Sequence, residues 1–339
     1  MTPTPSSTSL PSAAAAGPDL DGRAVGTAPG RICLVGEHND WAGGFALTVP
    51  MDRGVRVERT AGSFQVSSWF EGREHTWRGE GEPGIFTLLA SVYSTMGEPL
   101  SGVLRITGDL PAGRGFSSSA ALCVAVARVL RPGLSPVDAA EVAYQAERAT
   151  GSACGRMDPL ACAWAVPLAL RFHGDTVLTE PVSGRCALAV GVFPTPRDTR
   201  GILSVLTQHH SGDVSLRDWS ALARVGAVRG ALEGFSVQAR HATTALRDHD
   251  LRALGGAMDT CQEIYEEELV PELPELRAPG LVRAVRSLRA NGALGAKFTG
   301  AGGEGSVVGL YPPGKAQDGV RALDALGLQA FVVEVHSTV

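Results

Sequence analysis

The chain has 339 residues, of which 44% are hydrophobic and 19% charged, so it can bury the core of one large domain or of two ordinary ones. Its net charge of −5 argues against a surface for nucleic acids or anionic membranes. The six cysteines are scattered singly, without CxxC spacing, which indicates reduced packing residues of a cytoplasmic protein and not disulfides or metal ligands. The chain lacks a run of about 18 apolar residues, so no membrane span is predicted.

The first third of the chain predicts a tail followed by antiparallel strands. Residues 1–22 are rich in Pro, Ser, Thr and Ala and lack the pattern of a secretory signal, so we predict that they are disordered. Short alternating segments with β-branched and aromatic residues then predict strands in RICLVGE, GFALTVPMD, GVRVERTA, SFQVSSWF and HTWRGE. The next predicted elements are a helix in GIFTLLASVYSTMG and a strand in GVLRITGDL.

The rest of the chain mixes helices and strands without a strict βαβ repeat, which predicts an α+β fold. After the loop PAGRGFSSS, helices are predicted in AALCVAVARVL and in SPVDAAEVAYQAERATG, the second with Ser135 as its N-cap. A second domain, 186–339, is predicted to follow a first domain, 23–185. Its predicted elements are a strand in CALAVGVFPT, helices in DTRGILSVLTQHH and PGLVRAVRSLRANG, two helices between Trp219 and Leu254, and strands in GAKFTGAGGEGSVVGLY and ALGLQAFVVEVHS.

The segment PAGRGFSSSAAL, residues 111–122, has the composition of a phosphate-binding loop. Gly113 and Gly115 permit positive φ and a close approach of the backbone to a ligand. The serines then open a helix, whose free N–H groups and positive dipole end favour anions. A glycine- and serine-rich linker capped into a helix is the structural alternative for this segment taken alone.

Two further segments contain residues of types that can bind a ligand or a metal ion. KFTGAGGEGSVV, residues 297–308, places four glycines between two strands, either to approach a ligand or to build a tight hairpin. ERATGSACGRMDPL sets Glu147 at a helix end and Asp158 after a short loop. Such an acidic pair suits Mg²⁺ and an attacking hydroxyl, although a solvated helix end and an N-capping aspartate would leave the same pattern.

Together with GRICLVGEHNDWAGG, these segments resemble the ordered motifs of the GHMP kinases, the family of galactokinase, homoserine kinase, mevalonate kinase and phosphomevalonate kinase. The first motif is similar to the galactokinase signature, and the likeness extends over roughly residues 24–337. The second half is more similar to mevalonate and heptose-phosphate kinases. The resemblance implies a GHMP kinase fold, with an S5-like N-terminal domain, a ferredoxin-like C-terminal domain and the active site in the cleft between them.

The resemblance also implies roles for individual residues. Asp158 takes the position of the catalytic aspartate and Arg31 that of its partner, while Ser119 and Glu147 would hold Mg²⁺. A nearby arginine lowers the pKa of a carboxyl, so Arg31 is expected to keep Asp158 ionised. The implied ATP-binding residues are Gly113, Arg114, Gly115, Ser117, Ser118, Ser119, Gly300 and Gly302. The implied sugar-binding residues are Glu37, His38, Asp40 and Gly155.

Three arginines, Arg156, Arg197 and Arg200, are either part of the acceptor pocket, where they would hold an anionic group, or exposed. Arg114 contacts ATP or points to solvent. His38 taken alone is as compatible with a structural histidine as with a ligand contact.

The function predicted from the resemblance is an ATP- and Mg²⁺-dependent small-molecule kinase that phosphorylates a sugar at its anomeric hydroxyl. Galactose, a modified sugar, a sugar phosphate and a cyclitol phosphate all remain candidate acceptors. A mevalonate-type kinase and a sugar sensor without turnover are the alternatives. The expected partner is the small-molecule acceptor, without nucleic acid or membrane, and the expected state is a monomer or homodimer in the cytoplasm.

Overall fold

Two long neighbouring strands, β1 (Ala24–Val35) and β2 (Gly44–Thr60), form the centre of the first sheet in this computed structural model. The structure describes residues 23–70, 73–111, 113–194, 199–211 and 219–337, so the predicted tail lies outside the described residues. β2 is one continuous strand where the sequence predicted two. Its first part pairs with one neighbour and its second part with another, while β1 pairs along both parts and joins them.

Five more strands complete this sheet within the described residues. They are β3 (Gln65–Phe70), β4 (Arg73–Trp77), β5 (Val103–Gly108), β6 (Leu168–His173) and β7 (Thr176–Pro181). The order is β4-β3-β5-β2-β6-β7, with β1 paired to β2, and β3 and β5 run parallel. The β6–β7 hairpin has no counterpart among the strands predicted from the sequence, although the alternating burial along it has the period of two that strands show.

The first half of the described chain also contains five α-helices. They are α1 (Asn39–Ala42), α2 (Thr87–Met96), α3 (Ser118–Leu130), α4 (Pro136–Ala149) and α5 (Met157–Trp164). α3 is buried on nearly every side and packs against β1. The predicted N-cap of α4 is confirmed, since the Ser135 hydroxyl accepts a hydrogen bond of 3.1 Å from the backbone N–H of Asp138.

The second sheet belongs to the other half of the chain. Its strands are β8 (Gly184–Val192), β9 (Gly295–Phe298), β10 (Ser306–Tyr311) and β11 (Gln329–Ser337). They run antiparallel in the order β11-β8-β10-β9. β7 and β8 are separated by two residues, so the change of sheet falls close to residue 186. The domain boundary itself stays a prediction.

Six α-helices belong to the second half of the described chain, and the longest of them packs against β2 of the first sheet. They are α6 (Thr199–Ser211), α7 (Trp219–Arg247), α8 (Leu251–Ile264), α9 (Val270–Glu272), α10 (Pro279–Ala290) and α11 (Gln317–Asp324). Two helices were predicted between Trp219 and Leu254, whereas one helix of 29 residues fills most of that stretch and the second begins only at Leu251. After α10, Gly292 has φ +87°, as expected for the predicted C-cap glycine.

β1 contributes side chains to two hydrophobic clusters, one of which is shared by the two halves of the chain. Ile32 and Leu34 pack into the cluster that contains the second sheet, while Cys33, on the opposite face, packs into the cluster around α3. Alternate residues of a strand point to opposite faces, which explains why this segment is apolar throughout. Five of the six cysteines are buried, in line with their predicted packing role. The described helices include none with the length and apolar character needed to cross a membrane.

Candidate active site

A buried arginine at the middle of β1 is the centre of the site. Nε and Nη2 of Arg31 donate to Oδ1 of Asp158, at 2.7 and 2.5 Å, and Nη1 donates to the carbonyl oxygen of Gly115 at 2.6 Å. The β1–β2 register shifts between Pro29 and Arg31, and such a bulge re-aims the side chain that follows it. Burial lowers the pKa of Arg31, but neighbouring groups, chiefly Asp158, outweigh burial and leave the pKa above its usual value.

Asp158 lies in the first turn of α5 with its side chain 30% exposed, while the Arg31 side chain is 5% exposed. Both hydrogen bonds from Arg31 go to Oδ1, so Oδ2 is not occupied by the guanidinium. The predicted pair is therefore joined, and Arg31 also ties it to the phosphate-binding loop. This arrangement suits a carboxylate that accepts a proton or a hydrogen bond from a hydroxyl positioned next to a phosphate.

The turn after β1 contains the predicted sugar-binding residues. His38 is buried and has φ +69°, a conformation that is uncommon for a residue other than glycine and is often found at functional sites. Desolvation and, second, the negative charge of Asp158 raise the pKa of the next acidic residue, Asp40, to about 7, against a lowering by Arg31. A Cβ at Gly155 would lie 2.0 Å from Oδ2 of Asp40, so only glycine leaves room for this carboxyl group. The structure brings all of these residues together.

Glu37 also lies in this turn, but its partner was not predicted. Its Oε1 accepts a hydrogen bond from Nζ of Lys297 on β9, and both side chains are buried. Oε2 of Glu37 has no hydrogen-bond partner within the described part of the chain. The signal in the sequence was the lysine itself, a single charge in the short strand GAKF. Nothing in the sequence says which carboxylate it meets.

The phosphate-binding loop runs into α3 as predicted. Gly113 and Gly115 both have positive φ, at +66° and +86°. Ser117 is the N-cap of α3 with φ +59°, and Ser118 and Ser119 form its first turn. The Ser117 hydroxyl is buried and has no partner in the described residues. Free backbone N–H groups and unpaired hydroxyls at a helix start fit an anionic phosphate group.

Arg114 of this loop lies against the second half of the chain. Its Nη2 donates to the carbonyl oxygen of Pro194 at 2.8 Å, and its own carbonyl oxygen accepts from Ser306 Oγ at 2.6 Å. Ser306 follows the second glycine segment, in which Gly300 and Gly302 have φ of +80° and +88°. The loop and the glycine segment are thereby held side by side, which neither motif specifies by itself.

Glu147, near the end of α4, is buried beside the start of α3. Burial raises its pKa to about 7, against the opposing effect of a hydrogen bond with Ser119. Its Oε2 has no hydrogen-bond partner in the described residues. Mg²⁺ in kinases is held by one or two carboxylates together with phosphate oxygens and water, so this carboxyl group and hydroxyl fit the ion. Among the described residues, no cluster of three His, Cys, Asp or Glu side chains could hold a metal by itself.

The side chain of Arg156 contacts α4. Its guanidinium donates to both carboxylate oxygens of Glu141, at 3.1 and 3.2 Å, and stacks 4.0 Å from the ring centre of Tyr144. Both partners are on the exposed side of α4, so this packing withdraws Arg156 from the residues around Asp40. Arg197 lies outside the described residues, as does the side chain of Arg200.

An aromatic contact connects the acceptor turn to the second half. The rings of His38 and Trp41 have centres 5.8 Å apart, and Trp41 meets His210 of α6 edge-on at 5.3 Å. The Nε1–H of Trp41 is buried without a partner in the described residues. The wall of the acceptor turn therefore includes a donor that a ligand can satisfy.

Models of known families match three parts of the chain. The galactokinase galactose-binding signature matches residues 17–58, the N-terminal domain of GHMP kinases matches 85–165, and the C-terminal domain of GHMP kinases matches 242–328. Together these matches cover more than half of the chain and contain Arg31, Asp158 and Lys297. The chain belongs to the GHMP kinase family. Members of the family are ATP-dependent kinases.

Individual relatives of this GHMP kinase include both sugar and non-sugar kinases by name. Galactokinase of Mycobacterium bovis is 28% identical, over 86% of this chain and 90% of the relative. Mevalonate kinase of Aeropyrum pernix is 27% identical, over 91% of this chain and 95% of the relative. The crystal structure of Lactococcus lactis galactokinase complexed with galactose has a TM-score of 0.69 and 17% identity, over 93% of both chains. The GHMP kinase fold predicted from the sequence is confirmed.

Proposed function

We propose that this GHMP kinase transfers the γ-phosphate of ATP to a sugar, at the anomeric hydroxyl. The observation that carries the proposal is the Arg31 contact, which joins Asp158 to the phosphate-binding loop through Gly115. The match of residues 17–58 to a galactose-binding signature supports a sugar as the acceptor. The galactokinase relatives support it further.

In the proposed reaction, the acceptor hydroxyl oxygen bonds to the γ-phosphorus while the bond from that phosphorus to the β–γ bridging oxygen breaks, leaving ADP. Asp158 accepts the hydroxyl proton, and Arg31 keeps the carboxyl group in place through its two hydrogen bonds. Such a transfer passes through a loose transition state, so positioning and neutralisation of charge supply most of the rate enhancement.

The phosphates of ATP would lie at the start of α3, where the first backbone N–H groups have no partner within the helix and the buried Ser117 hydroxyl has none in the described residues, with Ser118 next to it. Glu147 and Ser119 would hold Mg²⁺, which when bound neutralises charge on the phosphate oxygens. The glycine segment around Gly300 and Gly302 would border the nucleotide beside the loop.

The charges around the acceptor turn favour an uncharged polyol. Asp158 lies close enough to Asp40 that its negative charge raises the pKa of Asp40. A carboxylate or phosphate on the acceptor would meet these acidic groups, while Arg156, which could have balanced it, is paired with Glu141. We therefore favour a free sugar over a sugar phosphate, a cyclitol phosphate or mevalonate.

A substrate panel tests the proposal. Purified protein with Mg²⁺ and ATP is given galactose, other aldoses, their phosphates, cyclitols, cyclitol phosphates and mevalonate, and ADP formation is followed with a coupled assay. We expect turnover with a free aldose and a sugar 1-phosphate product, identified by ³¹P NMR. Turnover of mevalonate alone, or sugar binding without any ADP, would instead establish the mevalonate-kinase or sugar-sensor alternative.

A further inference from the structure

A fully buried lysine on β9, in the second half of the chain, contacts the acceptor turn after β1. Lys297 is 0% exposed on β9, and its Nζ donates to Glu37 and to the carbonyl oxygen of Phe298, the latter at 2.6 Å. The ammonium group also lies 4.2 Å from the ring centre of Phe298. A buried ammonium is costly unless it is paired, so the chain keeps this charge only together with Glu37.

Lys297 supplies the counter-charge to Glu37, as the groups around the pair show. Cys33 on β1 and Cys261 on α8 face both members, and burial raises the pKa of both thiols, so they are neutral at pH 7. Arg31 also lies near Cys33, but its guanidinium is taken up by Asp158 and Gly115. The charge of Glu37 is therefore balanced by Lys297.

The two carboxylate oxygens of Glu37 differ in their hydrogen bonding. Lys297 binds Oε1 of Glu37, whereas Oε2 has no partner in the described residues although the side chain is only 1% exposed. Buried acceptors in native proteins are nearly always satisfied, so an orphaned carboxylate oxygen beside His38 and Asp40 calls for a ligand donor. A sugar hydroxyl is such a donor.

We propose that Lys297 is a positioning residue for the acceptor: it holds the Glu37 side chain in place, with Oε1 occupied and Oε2 presented to an acceptor hydroxyl. This inference rests on the proposed sugar-kinase function. It gives the second half of the chain a part in acceptor binding, because β9 supplies the lysine while β1 and its turn supply the glutamate. Thr299, directly after β9, reinforces the junction, since its Oγ1 donates to the Cys33 carbonyl oxygen at 3.0 Å.

The test is a double-mutant cycle on Glu37 and Lys297, with steady-state kinetics for the best acceptor in the panel and for ATP. For Lys297→Met we expect the acceptor KM to rise at least tenfold while the ATP KM changes less than twofold. Lys297→Arg, which keeps the charge, should recover at least half of the loss on a logarithmic scale. In a Glu37→Gln background, adding Lys297→Met should change the acceptor KM less than twofold, because the lysine then has no carboxylate to position.

A purely structural lysine gives different results. It would change the acceptor and ATP constants together, or it would lower activity by the same factor with and without Glu37, and either result overturns the proposal. If Lys297→Met does not fold, the kinetic constants of Lys297→Arg decide, since this variant leaves Glu37 paired with a cation: a raised acceptor KM with an unchanged ATP KM supports the proposal, and an equal change of both constants overturns it. Wild-type turnover of a sugar separates the two proposals: without it the sugar-kinase function fails, and with it only the role of Lys297 is at stake.

Discussion

The acceptor side and the phosphate side of the site are built in different ways. On the acceptor side, charged side chains meet across long stretches of chain: 127 residues separate Arg31 from Asp158, and 260 separate Glu37 from Lys297. On the phosphate side, backbone N–H groups and serine hydroxyls come from one continuous segment that ends in α3. The comparison predicts that acceptor-side substitutions act at a distance and depend on charge, whereas phosphate-side substitutions affect nucleotide and metal locally.

The largest effect is expected from Asp158→Asn. Losing the proton acceptor should lower kcat by about 10²–10⁴-fold, because that is the usual contribution of a general base. The change keeps the shape of the side chain, so nucleotide binding measured by calorimetry should stay within twofold. Asp175→Asn, at an exposed aspartate, is the control. Wild-type turnover by Asp158→Asn would refute the assigned role.

Glu147→Gln tests the phosphate side. Replacing the buried carboxyl group should raise the Mg²⁺ concentration for half-maximal activity by roughly 10–100-fold, the range seen when even an outer partner of a metal site is lost. The acceptor KM at saturating Mg²⁺ should change little, since Glu147 lies beside Ser119 and not in the acceptor turn. The exposed Glu263→Gln is the matched control. An unchanged Mg²⁺ requirement would exclude Glu147 as a ligand.

Gly155→Ala tests the packing of the acceptor side. The added methyl group would overlap Asp40 and force it to move, and overpacking of this kind costs about 1–3 kcal/mol. We expect the acceptor KM to rise by about tenfold or more and the ATP KM to stay within twofold. In Gly256→Ala, whose added methyl would meet no atom within 4 Å, both constants should be unchanged. Equal behaviour of the two variants would show that Gly155 is not needed for Asp40.

Asp40 makes stability depend on pH. Its pKa is about 7 in the folded protein, against about 3.9 in an unfolded chain, so the folded state holds the proton more tightly between these values. The stabilisation that this carboxyl group provides at low pH is therefore lost as the pH rises from about 4 to 7.

Asp40→Asn removes this dependence. The Tm difference, variant minus wild type, should rise by a few °C between pH 5 and pH 8, because the wild type loses up to about 1.4 kcal/mol per pH unit as the pH approaches 7 and the variant does not. The exposed Asp248→Asn should show a constant difference over the same range. A Tm difference for Asp40→Asn that falls with pH would contradict the sign of the shift.

The smallest effect is expected from Arg156→Ala. A surface ion pair such as Arg156–Glu141 contributes about 0–1 kcal/mol, so Tm should fall only slightly. The acceptor KM should change less than twofold, because Arg156 is turned toward α4. A tenfold rise in KM for a phosphorylated acceptor would restore the anion-binding role that the sequence left open.

Much of the fold and of the phosphate side could be predicted because the responsible forces are local. Ser135 caps α4, Gly292 ends α10, and Gly113 and Gly115 take up positive φ, as their neighbours in sequence imply. The same forces could not predict that β2 continues as one strand, since β1 and two other strands determine its length. The individual roles of the site residues stay predictions, as do the oligomeric state and the cytoplasmic location.

The sequence by itself determined the family, the mixed α/β fold and the identity of most groups in the site, because short motifs encode turns, helix starts and residue types. Only the tertiary structure decided the partners. It turned Arg31 toward Asp158 at a bulge, brought Lys297 to Glu37, and drew Arg156 away to Glu141. The physical reason is that an ion pair forms where two packed surfaces bring opposite charges together. Packing is not fixed by distance along the chain, so Lys297 and Glu37 are 260 positions apart, whereas Arg156 and Glu141 are 15 apart.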